Sequence, residues 1–145
     1  KIIALSAIVL LAAGGLYSAT IANPATPDAN QATVTTPAAV TLASGNFEGR
    51  SDHVTRGSVR LVQTPTGYAV ILSDDFYLDG APDPVLGFGR SGEYVASSQF
   101  TDLKQKRGSQ TYALPAGIMP AEFNEIYVWC EKFSVPLGVA TLTKA

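Results

Sequence analysis

The chain predicts an all-β fold, an antiparallel sandwich or flattened barrel of roughly eight to ten short strands. Three observations predict it. Short runs rich in Val, Ile, Thr, Tyr and Phe recur between Gly, Pro and Asp turn signals at roughly ten-residue spacing. No run in the C-terminal two thirds holds a helical apolar period long enough for a confident helix. The densest run, Glu125 to Leu142, alternates as a strand does: Ile126, Val128 and Cys130 share one face, and Tyr127 and Trp129 share the other.

Residues 1–22 precede this domain. Ile2 to Leu16 is almost unbroken apolar sequence behind Lys1, and small residues follow as far as Ala22. The pattern predicts the h-region and c-region of a secretory signal, with cleavage after Ala19 or Ala22. The alternative is an uncleaved membrane anchor, because Ile2 to Ala22 is about the length that spans a bilayer. No cysteine follows the run, so a bacterial lipid anchor is not expected there. Either reading puts the domain outside the cytoplasm, periplasmic or secreted, with membrane contact only through this segment. Residues 23–43 are mostly Ala, Thr and Pro and predict a disordered, semi-extended linker. The folded unit is expected over residues 44–145.

Within it, Gly45 to Arg50 predicts a first short strand. Val54 to Gln63 predicts a second, with Gly57 marking a bulge. Pro65-Thr66-Gly67 is a hairpin turn leading into Tyr68 to Leu72, an apolar β-branched run expected at the centre of a sheet. Phe76-Tyr77-Leu78 precedes the turn Asp79-Gly80-Ala81-Pro82-Asp83-Pro84. Val85 to Gly89 and Glu93 to Ser97 form a hairpin about Arg90-Ser91-Gly92. Phe100 to Leu103 and the basic turn Lys104 to Gly108 lead to Gln110 to Leu114. Pro115 to Pro120 is a loop, Ala121 to Asn124 one helical turn, and Ile126 to Cys130 and Val135 to Leu142 the closing strands.

Composition narrows function by exclusion. Lys and Arg number 10 against 12 Asp and Glu, with no basic stripe, so nucleic acid is not an expected partner. One cysteine excludes an intrachain disulfide, a cysteine-rich zinc site and paired-cysteine haem attachment. With His53 the single histidine and Met119 the single methionine, soft-ligand metal sites have few candidates.

Cys130 is the candidate redox thiol. The thiolate is the reactive form, so a functional thiol must be reachable and able to ionise. Strand parity with Ile126 and Val128 instead points the sulfur inward, where cysteine behaves as a small hydrophobe. Trp129, Tyr127 and Tyr112 are candidates to conduct electrons or stack on a ligand, or else to pack between strands. Asp74, Asp75, Asp79 and Asp83 share one loop-rich span, but their spacing fails the EF-hand pattern and Asp before Gly or Pro is ordinary turn chemistry. His53 beside Asp52 is expected as a turn histidine. A Cys130–His53 nucleophile pair is chemically conceivable; so is haem or a metal at Cys130 or His53, with His53 and either Met119 or Cys130 as axial haem ligands, and so is the absence of any cofactor.

Four segments carry a family resemblance. They are Gly45-x-Phe47 with His53 and Gly57 after it; Asp79-Gly80-Ala81-Pro82-Asp83 behind Phe76-Tyr77-Leu78; Gly108-x-Gln110-x-Tyr112-x-Leu114-Pro115; and Val128-Trp129-Cys130 followed by Phe133-x-Val135-x-x-Gly138-x-Ala140. Together they resemble the electron-transfer DM-thirteen family, over nearly all of Ser44 to Leu142. The resemblance implies a small extracytoplasmic β domain with a redox role for Cys130, and Asp83 gains interest because it matches the family turn. It implies an electron-transfer or binding module rather than a conventional catalyst, working with a redox protein or an envelope component. The alternative is a non-enzymatic binding or adhesive β-sandwich in which Cys130 is core packing.

Overall fold

A computed structural model describes residues 37–145. The signal or anchor segment and most of the linker lie outside the described residues. The expected sandwich or flattened barrel takes the form of one strongly curved antiparallel sheet, a half-barrel, with a small two-stranded ribbon beside it.

The large sheet runs in the order β7 (Glu93–Tyr94), β6 (Pro84–Arg90), β10 (Glu125–Cys130), β11 (Val135–Thr141), β1 (Val40–Gly49), β3 (Ser58–Thr64), β4 (Gly67–Leu72) and β9 (Gln110–Ala113). Strand β8 (Thr101–Asp102) pairs with β6, and β12 (Thr143–Lys144) with β1. The ribbon is β2 (Thr55–Arg56) with β5 (Tyr77–Leu78). Two 3-10 turns, Ala96–Ser98 and Pro120–Glu122, are the helical elements of the described residues. The second is close to the single turn expected at Ala121 to Asn124.

Strand β1 bends the sheet. Its first part pairs with β3 from Val40 to Asn46, with a bulge between Thr41 and Ala43, and its end pairs with β11 from Phe47 to Gly49. A bulged strand that changes partners along its length bends a sheet sharply. It also starts at Val40, inside the stretch expected to be linker. Ala43 is buried, so this end of the Ala/Thr/Pro segment does pack against the core.

The expected second strand is broken rather than bulged. Gly57 sits at φ +109°, where its missing side chain lets the backbone lie against Phe76; a Cβ would fall 2.5 Å from Phe76 Cα. That contact splits Val54 to Gln63 into β2 and β3, and β2 leaves the main sheet to join β5. Burial of Leu61, Val70, Leu72, Phe76, Leu86, Phe88, Ile126, Val128 and Leu137 on the concave side supplies the core. Phe88 anchors one end of it between Phe100 and Phe123, with centroids 5.3 and 5.2 Å away.

The open margin between β8 and β9 is bridged by the basic turn. The Lys104 amide donates to the Tyr112 hydroxyl at 3.0 Å, and the Gln105 amide to Gln110 Oε1 at 2.9 Å. Leu78 N donates to Lys106 O and Gly108 N to Phe76 O. The guanidinium groups of Arg56 and Arg107 each lie 4.5 Å from the Tyr77 ring centroid. These contacts spend the basic turn on structure.

Candidate functional site

Strand β10 is sandwiched between β6 and β11, and its register fixes two faces. Ile126, Val128 and Cys130 lie opposite Phe88, Leu86 and Pro84 on the core side, while Tyr127 and Trp129 lie opposite Gly87 and Val85 on the convex side. The parity expected from sequence is therefore the parity observed. A bulge where Trp129 meets Pro136 leaves Leu137 as the extra residue of β11, and its carbonyl accepts from Arg50 N and from Thr55 Oγ1.

Cys130 is 1% exposed and belongs to the same core cluster as Ile126 and Val128. Its Sγ donates to the Pro82 carbonyl at 3.2 Å. The Asp79–Pro84 loop thus closes over the thiol. The loop is pinned at its start by Asp79: Oδ2 accepts from Val54 N at 2.9 Å, Oδ1 meets His53 Nδ1 at 3.0 Å, and Asp79 N returns a bond to Val54 O. The Val54 amide, then His53, hold the Asp79 carboxyl below the usual carboxylate range. At the other end Asp83 takes φ +47°, a left-handed position that Asp tolerates, and its carbonyl accepts from Glu131 N at 3.2 Å.

His53, Asp83 and Cys130 are thereby brought to one end of the half-barrel, all through the same loop. His53 and Cys130 bond to different residues of it, so the nucleophile pair is not formed. Met119 lies at the far end, lining an apolar groove of about 280 Å³ with Leu42, Leu61, Phe123 and Leu142. The length of β10, about 17 Å by strand geometry, separates it from Cys130 and prevents Met119 from sharing a metal with His53 or Cys130. Among the described residues, no three His, Cys, Asp or Glu side chains are grouped to hold a metal ion. The acidic residues also disperse: Asp75 accepts from the Ser58 amide and hydroxyl, and Asp79 serves His53 and Val54. Asp83 lines a cleft with Asp102 and Glu131 beside Cys130, which is not itself part of that lining. Lys132 lies over the Phe133 ring rather than the sulfur.

Tyr112 faces the core at the sheet margin, and its hydroxyl donates to Gln110 while accepting from Lys104 N. Burial raises its pKa. Its position is that of a packing residue with a satisfied polar tip.

Trp129 belongs to a cluster on the convex face. Tyr94 stacks on it at 4.3 Å between centroids with planes 9° apart, and Tyr127 lies 5.6 Å from Tyr94 and 6.5 Å from Trp129. Gly87 and Gly89 make room beneath: a Cβ at Gly87 would come within 2.6 Å of the Tyr94 ring, and one at Gly89 would collide with the Tyr127 ring. Burial, with Glu131 nearby, pushes Tyr94 up to about 12. Tyr127 is also raised, by burial first and then by the charge of Glu125, whose Oε2 accepts the Tyr127 hydroxyl at 3.4 Å. The same carboxylate accepts the Gly92 amide at 3.1 Å to each oxygen. Tyr94, Glu125 and the two glycines were not singled out from sequence. The signal was present in Gly87-Phe88-Gly89 followed by the tight turn Ser91-Gly92, which sets Tyr94 opposite Gly89.

The chain belongs to the electron transfer DM13 family, whose model matches residues 46–142. Membership supports a general electron-transfer or redox role. No curated protein and no solved structure matches the chain.

Proposed function

We propose that this domain is an extracytoplasmic electron-transfer module in which Cys130 is the redox-active thiol, kept under the Asp79–Pro84 loop until a partner displaces it. What supports the reading is the convergence of three family-matching features, His53, the Asp79–Asp83 turn and Trp129-Cys130, on one end of the half-barrel. Lifting Pro82 would break its contact with the sulfur and open the sulfur to a partner. The thiolate then attacks a partner disulfide: one S–S bond breaks, a mixed disulfide forms, and the partner's second sulfur leaves as thiolate. The proton of Cys130 passes to solvent. A partner in the envelope would supply that disulfide. The N-terminal apolar segment would deliver or tether the domain there.

A second reading has its own support. Cys130 packs with Ile126 and Val128 in the core, as it would in a binding or adhesive module that uses the sulfur only as volume. Modification by a thiol reagent under native conditions separates the two. In the redox reading Asp79→Asn, which weakens the loop anchor, speeds modification while stability changes little. If Cys130 in both proteins reacts only at the rate of global unfolding, the thiol is packing and the second reading stands.

A further inference from the structure

We infer that the convex face of the half-barrel carries an aromatic electron relay, with Trp129 as the entry point, Tyr94 as its stacked partner and Tyr127 as the terminal donor whose proton goes to Glu125. The inference rests on the electron-transfer role of the family but not on Cys130.

The geometry is a closed triangle of rings. Trp129 and Tyr94 are in face-to-face contact, and Tyr127 touches both. Trp129 is half-buried and within reach of an external acceptor, whereas Tyr127 is 4% exposed. An outer aromatic and an inner one in ring contact let an electron leave in two short steps.

The proton decides where the oxidation comes to rest. Removing an electron from a phenol makes its hydroxyl strongly acidic, so a base in contact favours the oxidised state. Tyr127 is the one tyrosine among the described residues whose hydroxyl donates to a carboxylate. Tyr94 donates to the Gln99 amide oxygen and Tyr112 to that of Gln110, neither of which can take a proton at ordinary pH. Tyr77 lies under two guanidinium groups, whose charge opposes loss of an electron from the ring. Glu125 is buried and fixed by the Gly92 amide, so its acceptor oxygen is held in place.

A one-electron acceptor, such as an oxidised metal complex or haem protein, takes an electron from Trp129 and is itself reduced. Tyr127 returns an electron to Trp129 and passes its phenolic proton to Glu125. The products are a neutral Tyr127 radical, a protonated Glu125 and a restored indole. An electron from a reductant, with the proton returning from Glu125, closes the cycle.

The test is flash-quench oxidation of the purified domain with a photogenerated ruthenium(III) polypyridyl complex, followed by transient absorption and by electron paramagnetic resonance of frozen samples. An indole radical is expected first and a tyrosyl radical after it. Tyr127→Phe, which keeps the ring, should leave the indole radical long-lived and cut tyrosyl yield. Glu125→Gln keeps an acceptor for Gly92 N and should slow tyrosyl formation by at least about tenfold. Circular dichroism of each variant confirms the fold. Undiminished tyrosyl signal in Tyr127→Phe, or an unchanged rate in Glu125→Gln, overturns the relay. Cys130→Ala should leave all of these signals in place. If the relay forms while native Cys130 is inert to thiol reagents, the cysteine reading fails and the relay stands.

Discussion

The two faces of β10 carry consecutive residues into opposite environments. Ile126, Val128 and Cys130 face a closed core in which each side chain is enclosed by packing, and the one polar contact these three side chains make is the Cys130 thiol to the Pro82 carbonyl. Tyr127 and Trp129 face a sheet surface that Gly87 and Gly89 have hollowed, where Tyr94 stacks on Trp129 and Tyr127 packs against both at a steep angle. The core face is specified by volume. The convex face is specified by the absence of volume in a neighbouring strand. The thiol is sealed by a loop that is tied down elsewhere, at His53 and Asp79, whereas the Trp129 and Tyr94 rings are only half-buried. Chemistry at the sulfur therefore needs a movement, and chemistry at the rings does not.

The sharpest way to break this contrast is to fill the hollow. In Gly89→Ala the new methyl would meet the Tyr127 ring and the Glu93 carbonyl, 2.6 Å away, and the carbonyl cannot swing aside. The expected loss is about 3 kcal/mol, at the upper end for overpacking, measured by urea unfolding. The atoms nearest a Gly87→Ala methyl all belong to the Tyr94 side chain, which is able to yield, so about 1 kcal/mol is expected. Equal losses would show that the rings, not the backbone, set the cost. On the opposite face, Val128→Ala leaves a void in a fully buried position and should cost about 2 kcal/mol, without altering Trp129 fluorescence. A fluorescence change there would mean the two faces are coupled through the strand.

Much of this contrast was legible in the sequence, and the limits have physical causes. The alternation of Ile126 to Cys130 gave the facing of every residue on β10, because side-chain period on a strand is fixed by the backbone. Strand positions were legible where turns are spelled by Gly, Pro and Asp. The break at Gly57 was not, since it depends on Phe76 arriving from elsewhere in the chain. The start of β1 at Val40 was hidden by linker-like composition, because pairing with β3 and β12 orders a segment that local propensity leaves open. At the site, His53, the Asp79–Asp83 turn and Cys130 could be named one by one. Their meeting could not be read, because Asp79 reaches back 26 residues to His53 and Cys130 reaches back 48 to Pro82.

Base titration sharpens the convex side. Tyr94 is raised to about 12, above the ordinary tyrosine value of about 10. The neutral phenol is favoured in the folded state, so this contribution to stability is complete below the unfolded value and is lost as pH rises through the folded one. Trp129 emission should change as its stacked partner ionises near that upper pH, and Tyr94→Phe should remove the change. A transition at the ordinary tyrosine pKa would mean that the stack is open to water.

The smallest expected effect lies at the loop that closes the core face. Asp79 has its pKa lowered by the Val54 amide and by His53, so its contribution is present above the unfolded carboxylate value of about 4 and is lost as pH falls through the folded value. Because about a third of the side chain is exposed, screening holds the effect below about 1 kcal/mol. Asp79→Asn keeps an oxygen for Val54 N but gives up the charge. Its stability should therefore fall less steeply with acid than that of the natural protein, with the two curves converging at low pH. The same substitution weakens the anchor of Pro82 over Cys130, so thiol modification should accelerate although global stability hardly moves. Faster modification with unchanged unfolding would show that the loop alone seals the sulfur. A rate that tracks unfolding in both proteins would mean that the whole core does.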